Sequence, residues 1–568
     1  MVTTSAAIEK IYTEVLVIGA GPVGLALAGD LGWRGHQVLV IDKGDGSIFQ
    51  PKMDLVGIRT MEFCRRWGIV NDVEGSPYDR DYPQDNVYLT SLKGFELGRQ
   101  PMPSMRQEKA PPESPQKRER CPQNMFDPIL RRFAENQKGT QIRFQTEYEF
   151  FTQTDDGITV LIRDGVTGER KEVHARFLVG CDGAKSKVRE QLKIGMQGKG
   201  LLSYTTNVIF RCAEFNNLHN KAPGYRYMFV GPAGTWATIV AINGKDQWRM
   251  SIIGNAQDKR TYSEEDLRGF AHKALGESFE MEILSVLPWQ RAELVADKYS
   301  EGRVFICGDA CHLTSPTGGL GMNTGIGDAV DLSWKLAAQL EGWGGPQLLE
   351  SYGVERRPVA LRITRFSTSN LEVMKQVPSS PKIADNSPEG ASVRARVGLA
   401  MSEGLKKEWF SLNMHLGNRY VGSPVNVNTE PEDPLQIQAE FDDAIEYRPT
   451  TRVGCRAPHV WLEKDLSTLD LFGRGYVLVS SHLEKNNDLI EVARQLRMPL
   501  KIYHLLQPVA QLIYEKRHVL VRPDGHVAWR GEALPVDMLG WLKTVSGHGH
   551  GQKTAAFSDM ETTSGVTL

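Results

Sequence analysis

The chain has 568 residues, 40% of them hydrophobic, a formal net charge of −2, and no apolar run long enough to span a bilayer. That length predicts two or three domains, and so neutral a balance argues against nucleic-acid or anionic-membrane partners. Seven scattered cysteines, an odd number, make no disulfide framework and point to a reducing, cytoplasmic setting.

The first predicted element is a buried strand at 15–18, "VLVI", followed by "GAGPVG", in which Gly19, Gly21 and Gly24 make G-x-G-x-x-G. Such a turn lets the backbone approach a pyrophosphate at the N-terminus of the next helix. Residues 25–31 have helical periodicity, Gly35 ends them, and 38–41 form a second strand. Asp42 then stands where an acid accepts hydrogen bonds from a ribose. Glu14 and Asp30 flank a stretch too short for a membrane anchor, and no cationic segment or cleavage site makes it a signal peptide. The unit reads as a dinucleotide site rather than a structural glycine turn.

Further on, residues 99–120 are polar and Pro-rich and are expected to form a surface excursion. "ARFLVGCDGAKSKVREQL" (175–192) reads as strand, Asp182-Gly183, then helix. Between 200 and 290, "YRYMFVG", "TWATIVAI" and "WRMSIIG" alternate as strands of an antiparallel sheet; Trp236 and Met250 there are core by default. At 302–340 a strand leads through Gly308-Asp309 and a Pro/Gly loop into a long helix with Ala329, Leu332, Leu336 and Leu340 on one face. Cys307, Cys311 and His312 lack a second ligand pair at zinc spacing, so no metal is predicted. Residues 377–392 read as a loop, with a helical stretch to about 409. A small α/β pattern runs from 452 to about 545, with Asp524-Gly525 at a hairpin turn. The Gly/Ser/Thr-rich tail, 546–568, is expected to be disordered.

Taken together, these blocks resemble the class A flavoprotein aromatic hydroxylases, single-component FAD monooxygenases related to para-hydroxybenzoate hydroxylase. "GIRTMEFCRRWGI" (57–69), "LGNRY" (416–420) and the stretch 453–531 are similar to the phenol hydroxylase and chlorophenol or hydroxybiphenyl monooxygenase branch. The resemblance implies an α/β protein with a Rossmann-type FAD-binding domain over 1–190, to which 290–370 return. An antiparallel-sheet substrate domain (191–289), a helical and loop connection (371–450) and a thioredoxin-like C-terminal domain (451–545) would follow. No C-x-x-C occurs after 450, so that last domain is expected to be structural or to serve subunit contacts, as in a homodimer.

For the site, the resemblance assigns Gly19, Gly21, Pro22, Gly24, Asp42 and Lys43 to FAD, and Gln123 to a cofactor contact. Asp182 would meet FAD pyrophosphate and NAD(P)H. Gly308 and Asp309 would hold the ribityl chain or ribose, and Pro316, Gly319, Gly321, Met322 and Asn323 would lie along the isoalloxazine. Lys52 replaces the family's usual Arg, and Asp331 the Asn of a helix motif. Asp54, five residues before Arg59, matches the catalytic acid of phenol hydroxylase, and burial raising its pKa would let it take a phenolic proton. Helix capping is the alternative for Asp54. Arg226 and Tyr227 lie near the Arg/Tyr pair that polarises substrate. The implied reaction hydroxylates a phenolic or related aromatic with NAD(P)H and O2 through a flavin C4a-hydroperoxide. A Baeyer–Villiger or N-oxidation, a non-oxygenating flavin reductase and a non-catalytic flavoprotein stay open; the halogenase motif W-x-W-x-I-P is absent.

Overall fold

The computed structural model describes residues 8–48, 51–257, 259–482 and 487–549. Its first sheet has at its centre the strand Glu9–Ile18, flanked by Val38–Ile41 and by Arg170–Gly180, with Val304–Ile306 beyond the latter. All four run parallel, and their ends are buried aliphatics because helices cover both faces. The register aligns Ile18 with Ile41 and with Gly180, and Gly180 with Ile306. Four separate sequence blocks therefore emerge side by side at one carboxyl edge: Gly19, Asp42, Cys181 and Cys307. Strand order reverses at Glu9–Ile18, and such a reversal opens a crevice for a ligand.

The second sheet has eight strands, antiparallel except where Arg226–Gly231 runs parallel to Asn86–Leu89. It is not confined to 191–289. Asn86–Leu89 and Glu96–Gln100 supply one edge, and its long strand Glu282–Ala296 runs past 289. One face, carrying Val208, Tyr227, Phe229, Ile239, Trp248 and Met250, is a hydrophobic core.

Residues 99–120 turn inward rather than forming the expected surface excursion. Glu119–Arg120 pairs with Leu55–Val56, and Ser114, Gln116 and Glu119 are buried. Their polarity is satisfied by partners, Arg80 on Glu119 and Arg120 on Asp54, not by water. Within 377–392, a short turn at Pro381–Ala384 and a helix beginning at Pro388 replace part of the predicted loop; the Ser387 hydroxyl caps that helix by accepting from the Gly390 N–H.

At the C-terminus, Tyr476–Ser480, Asn487–Gln495 and Leu500–His504 form a parallel βαβ unit. The hairpin His518–Val521/Val527–Gly531 and the helix Met538–Val545 complete a thioredoxin-like layer. All seven cysteines are free thiols, and burial raises the Cys455 pKa. The domain is joined to the first by buried ions: Arg522 Nη2 donates to Glu355 Oε2 at 2.8 Å and to Asp331 Oδ1 at 3.1 Å. From residue 550 the expected disordered tail lies outside the described residues.

Candidate active site

The carboxyl edge of the first sheet forms a cradle. Gly19 has φ +108° and a Cβ there would lie 2.4 Å from the Cys181 carbonyl oxygen; at Gly24 a Cβ would lie 2.0 Å from the Gly19 oxygen. Only glycine allows this strand, turn and helix to close together. At Gly21, by contrast, a Cβ would meet nothing within 4 Å. Gly21 is the N-cap of the helix Pro22–Arg34, which has neither a side-chain cap nor an acid in its first turn. An open space at an uncapped, partly positive helix end suits a pyrophosphate.

Asp42 closes the rim, its carboxylate accepting from the N–H groups of Ala20 and Gly44, both at 2.7 Å, while Lys43 is exposed beside it. Asp182 lies behind Gly19. Its Oδ2 accepts from the Val188 N–H at 3.2 Å, its Oδ1 is buried without a partner, and burial raises its pKa. Gly308 faces Val23, and Asp309 is exposed at the crevice. The residues present fit FAD: an open anion seat, an orphaned carboxyl oxygen and an accessible acid share one edge.

From there the chain leads to a cavity of about 120 Å³. Its roof includes Lys52, Asp54, Pro316 and Gly319; its floor is the polar face of the second sheet, with Arg226, Arg249, Trp289 and Arg291. The helix Gly321–Leu340 starts next to this loop, uncapped and without an acid in its first turn. Asn323 serves as a brace: its Oδ1 accepts from the Gly57 N–H and the Thr60 hydroxyl, both at 2.7 Å, and its Nδ2 donates to the Leu55 and Gly319 oxygens. Met322 packs against the main core. Gln123 Oε1 accepts from the Lys52 N–H at 3.0 Å, fixing the segment that carries Asp54.

Asp54 does not cap the helix Ile58–Trp67, whose N-cap is Gly57. It lines the cavity, 16% exposed, with Arg120 Nη1 at 2.9 Å from Oδ1 and Arg249 Nη2 at 3.6 Å from Oδ2, which also accepts from the Tyr225 hydroxyl. Burial alone would push this carboxyl up, but Arg120, then Arg249 and Tyr225, override it and hold it below the ordinary range. The expectation of a raised pKa is thus reversed. Arg226 also reaches the cavity and pairs with Glu408 at 2.9 Å; Glu408 Oε1 in turn accepts from the Gly318 N–H.

Tyr227 does not belong to this constellation. Strand alternation turns it into the opposite, hydrophobic face, where its hydroxyl accepts from the Gly224 N–H at 2.9 Å. Trp236 and Met250 pack on that same face. The tyrosine in the cavity is Tyr225, under the Arg120 guanidinium at 3.7 Å. Arg118, Arg120, Arg249, Arg291, Trp289 and Glu408 were also outside the sequence reading. The Arg118–Arg120 pair in "KRER" was its one visible trace, hidden in a segment that looked like a loop.

Comparison with known proteins agrees with this architecture. Residues 12–367 match the FAD binding domain family, and 450–547 match the aromatic-ring hydroxylase C-terminal domain. A 2,4-dichlorophenol 6-monooxygenase of Delftia acidovorans is 29% identical over 92% of this chain and 95% of its own. The rebeccamycin biosynthetic enzyme RebC, solved with reduced flavin, is 35% identical with a TM-score of 0.88, over 95% of this chain and 100% of its own. The flavin-dependent monooxygenase PieE, solved with FAD and substrate, is 27% identical with a TM-score of 0.83, over 95% and 99%. With the FAD binding domain over 12–367, the aromatic-ring hydroxylase C-terminal domain over 450–547 and these monooxygenases as full-length relatives, the chain belongs to the FAD-dependent aromatic-ring hydroxylases and is a monooxygenase of aromatic substrates.

Proposed function

We propose that the cavity holds the ring of a phenolic substrate, its hydroxyl toward Tyr225 and Asp54, with NAD(P)H and O2 as co-substrates. FAD, when bound, supplies the electrons and the activation of O2. The protein's part is to hold the ring, keep water out and make the ring electron-rich.

The observation that carries this reading is the Arg120–Asp54–Tyr225 cluster at the cavity wall. Burial raises the Tyr225 pKa, so this phenol stays neutral. Its proton is donated to Asp54, which leaves the tyrosyl oxygen able to accept from a substrate hydroxyl. Asp54, held ionised, keeps the Tyr225 hydroxyl proton turned toward itself, so the substrate hydroxyl donates a hydrogen bond to the tyrosyl oxygen and no proton leaves either phenol. The ring thereby gains phenolate character while charge remains on Asp54, balanced by Arg120 and Arg249. Glu408 ties Arg226 to Gly318 and so fixes the substrate floor relative to the loop Pro316–Gly319.

The test is to follow NAD(P)H oxidation by FAD-loaded protein with a panel of phenols and to weigh the products. Substrate-stimulated oxidation with gain of one oxygen supports the reading. Stimulated oxidation without any oxygenated product would refute it.

A further inference from the structure

We propose that the substrate carries, apart from its reacting hydroxyl, an anionic group of carboxylate type, and that Arg291 is the seat of that group. The inference rests on the hydroxylase reading and narrows its substrate class.

The cavity gathers six cationic side chains, Lys52, Arg118, Arg120, Arg226, Arg249 and Arg291, against two carboxylates, Asp54 and Glu408. Four of the cations are accounted for. Arg120 and Arg249 face Asp54, Arg226 pairs with Glu408, and Arg118 with Glu108 at 2.8 Å. Arg291 is different. It is 5% exposed, its Nε donates to the Thr205 hydroxyl at 3.0 Å, and its Nη1 is buried with no hydrogen-bond partner. Among the described residues it forms no ion pair.

A buried guanidinium without an ion-pair partner is unfavourable, and here two further arginines lie close by. Burial, then repulsion from Arg226 and Arg249, lowers the Arg291 pKa to about 10 in spite of attraction from Glu408, whose Oε1 is already engaged by Arg226 and the Gly318 N–H. Its free nitrogen, aimed into the cavity, suits a counter-charge that arrives with a ligand. The surroundings fit that ligand. Trp289 lies two residues before Arg291 and shares its face of the strand, offering an aromatic surface to a ring. Lys52 extends over the Trp289 ring at 5.8 Å and adds positive charge on that side. A planar fork with a free nitrogen matches a carboxylate in a way that a chlorine or alkyl substituent cannot.

The experiment measures binding of ortho-, meta- and para-hydroxybenzoate and the three matching hydroxybenzamides to FAD-loaded protein by titration calorimetry. At least one hydroxybenzoate should bind about tenfold or more tightly than its amide, the size of a charge-assisted hydrogen bond. That ratio should collapse to near one in R291Q and be partly restored in R291K, with flavin content and melting temperature reporting that both variants are folded. A ratio near one in the wild type, a ratio unchanged in R291Q, or no binding by any hydroxybenzoate overturns the proposal. Hydroxybenzoates that bind tightly but return without added oxygen would sink the hydroxylase reading and spare the anion seat. Hydroxylation of neutral phenols without carboxylate preference would do the reverse.

Discussion

Asp54 is the residue whose character changes most between sequence and structure. Arg120, Arg249 and Tyr225 hold its carboxyl below the ordinary range, so in the proposed reaction its part is to orient Tyr225 and polarise what Tyr225 touches. Asp54→Asn keeps the shape but removes the charge. Hydroxylation should fall by about 10²-fold, at the lower end of general-base effects, while NAD(P)H oxidation continues and hydrogen peroxide accumulates. The loss should shrink at high pH, where the phenol ionises unaided. Tyr225→Phe should give the same uncoupling, whereas Tyr227→Phe, on the far face of the sheet, should leave coupling intact. Product-to-NAD(P)H ratios check all three, and wild-type coupling in both Asp54→Asn and Tyr225→Phe would remove this pair from the mechanism.

Among the elements, the strand ends of the first sheet form the glycine cradle and the second sheet forms the floor of the polar cavity. Asp309 is exposed at the crevice, so Asp309→Ala should cost little folding energy yet release flavin. Gel-filtered variant that loses its yellow colour while keeping its melting transition is the expected result. The C-terminal layer predicts the opposite. Burial keeps the Cys455 thiol protonated, so Cys455→Ser should leave turnover within about twofold, a barrier change of roughly 0.4 kcal/mol. A larger loss with flavin still bound would mean a thiol role.

For the molecule as a whole, the joint between the domains is ionic and buried. Asp331, Glu355 and Asp524 pack against Lys335 and Arg522, with His526 also 3.4 Å from Asp524, so three buried carboxylates share two permanent cations. Burial pushes Asp331 up, whereas Arg522 and Lys335 outweigh burial and hold Glu355 near 2. A protonated Asp331 resembles the Asn that the family usually has there. Asp331→Asn should therefore change stability by less than about 1 kcal/mol, and Arg522→Met should cost about 3–5 kcal/mol by stranding buried carboxylates. Denaturant titration separates the two. Acid should also loosen this joint. Burial lowers His415 and His526 to about 4, so the unfolded chain takes up their protons first as pH falls below 6.5. Stability contributed by each is complete above that value and declines down to about 4, by about 2 kcal/mol per histidine between pH 7 and 5. Glu62 is pulled to about 2 by Arg456 and Arg59 against its burial, so its share is lost only between about 4.5 and 2. Melting temperatures that stay flat from pH 7 to 5 would contradict this account.

What the sequence determined by itself is local in nature. G-x-G-x-x-G, the acid ending the second strand, the Asp182 and Asp309 turns and the Asp524-Gly525 hairpin each state their geometry within a few residues, because glycine, turn and strand preferences act at that range. Their order points to the fold class. The substrate cavity is not local. Its walls come from residues near 52, 120, 225, 249, 291, 318 and 408, brought together only when the two sheets and the short helix Lys406–Trp409 pack. Three outcomes were decided there and nowhere else: Tyr225 rather than Tyr227 in the cavity, Asp54 lowered rather than raised, and the Arg291 Nη1 left without a hydrogen-bond partner. The physical reason is common to all three. The face to which a strand residue points depends on register, and the charge state of a buried group depends on neighbours tens to hundreds of residues away.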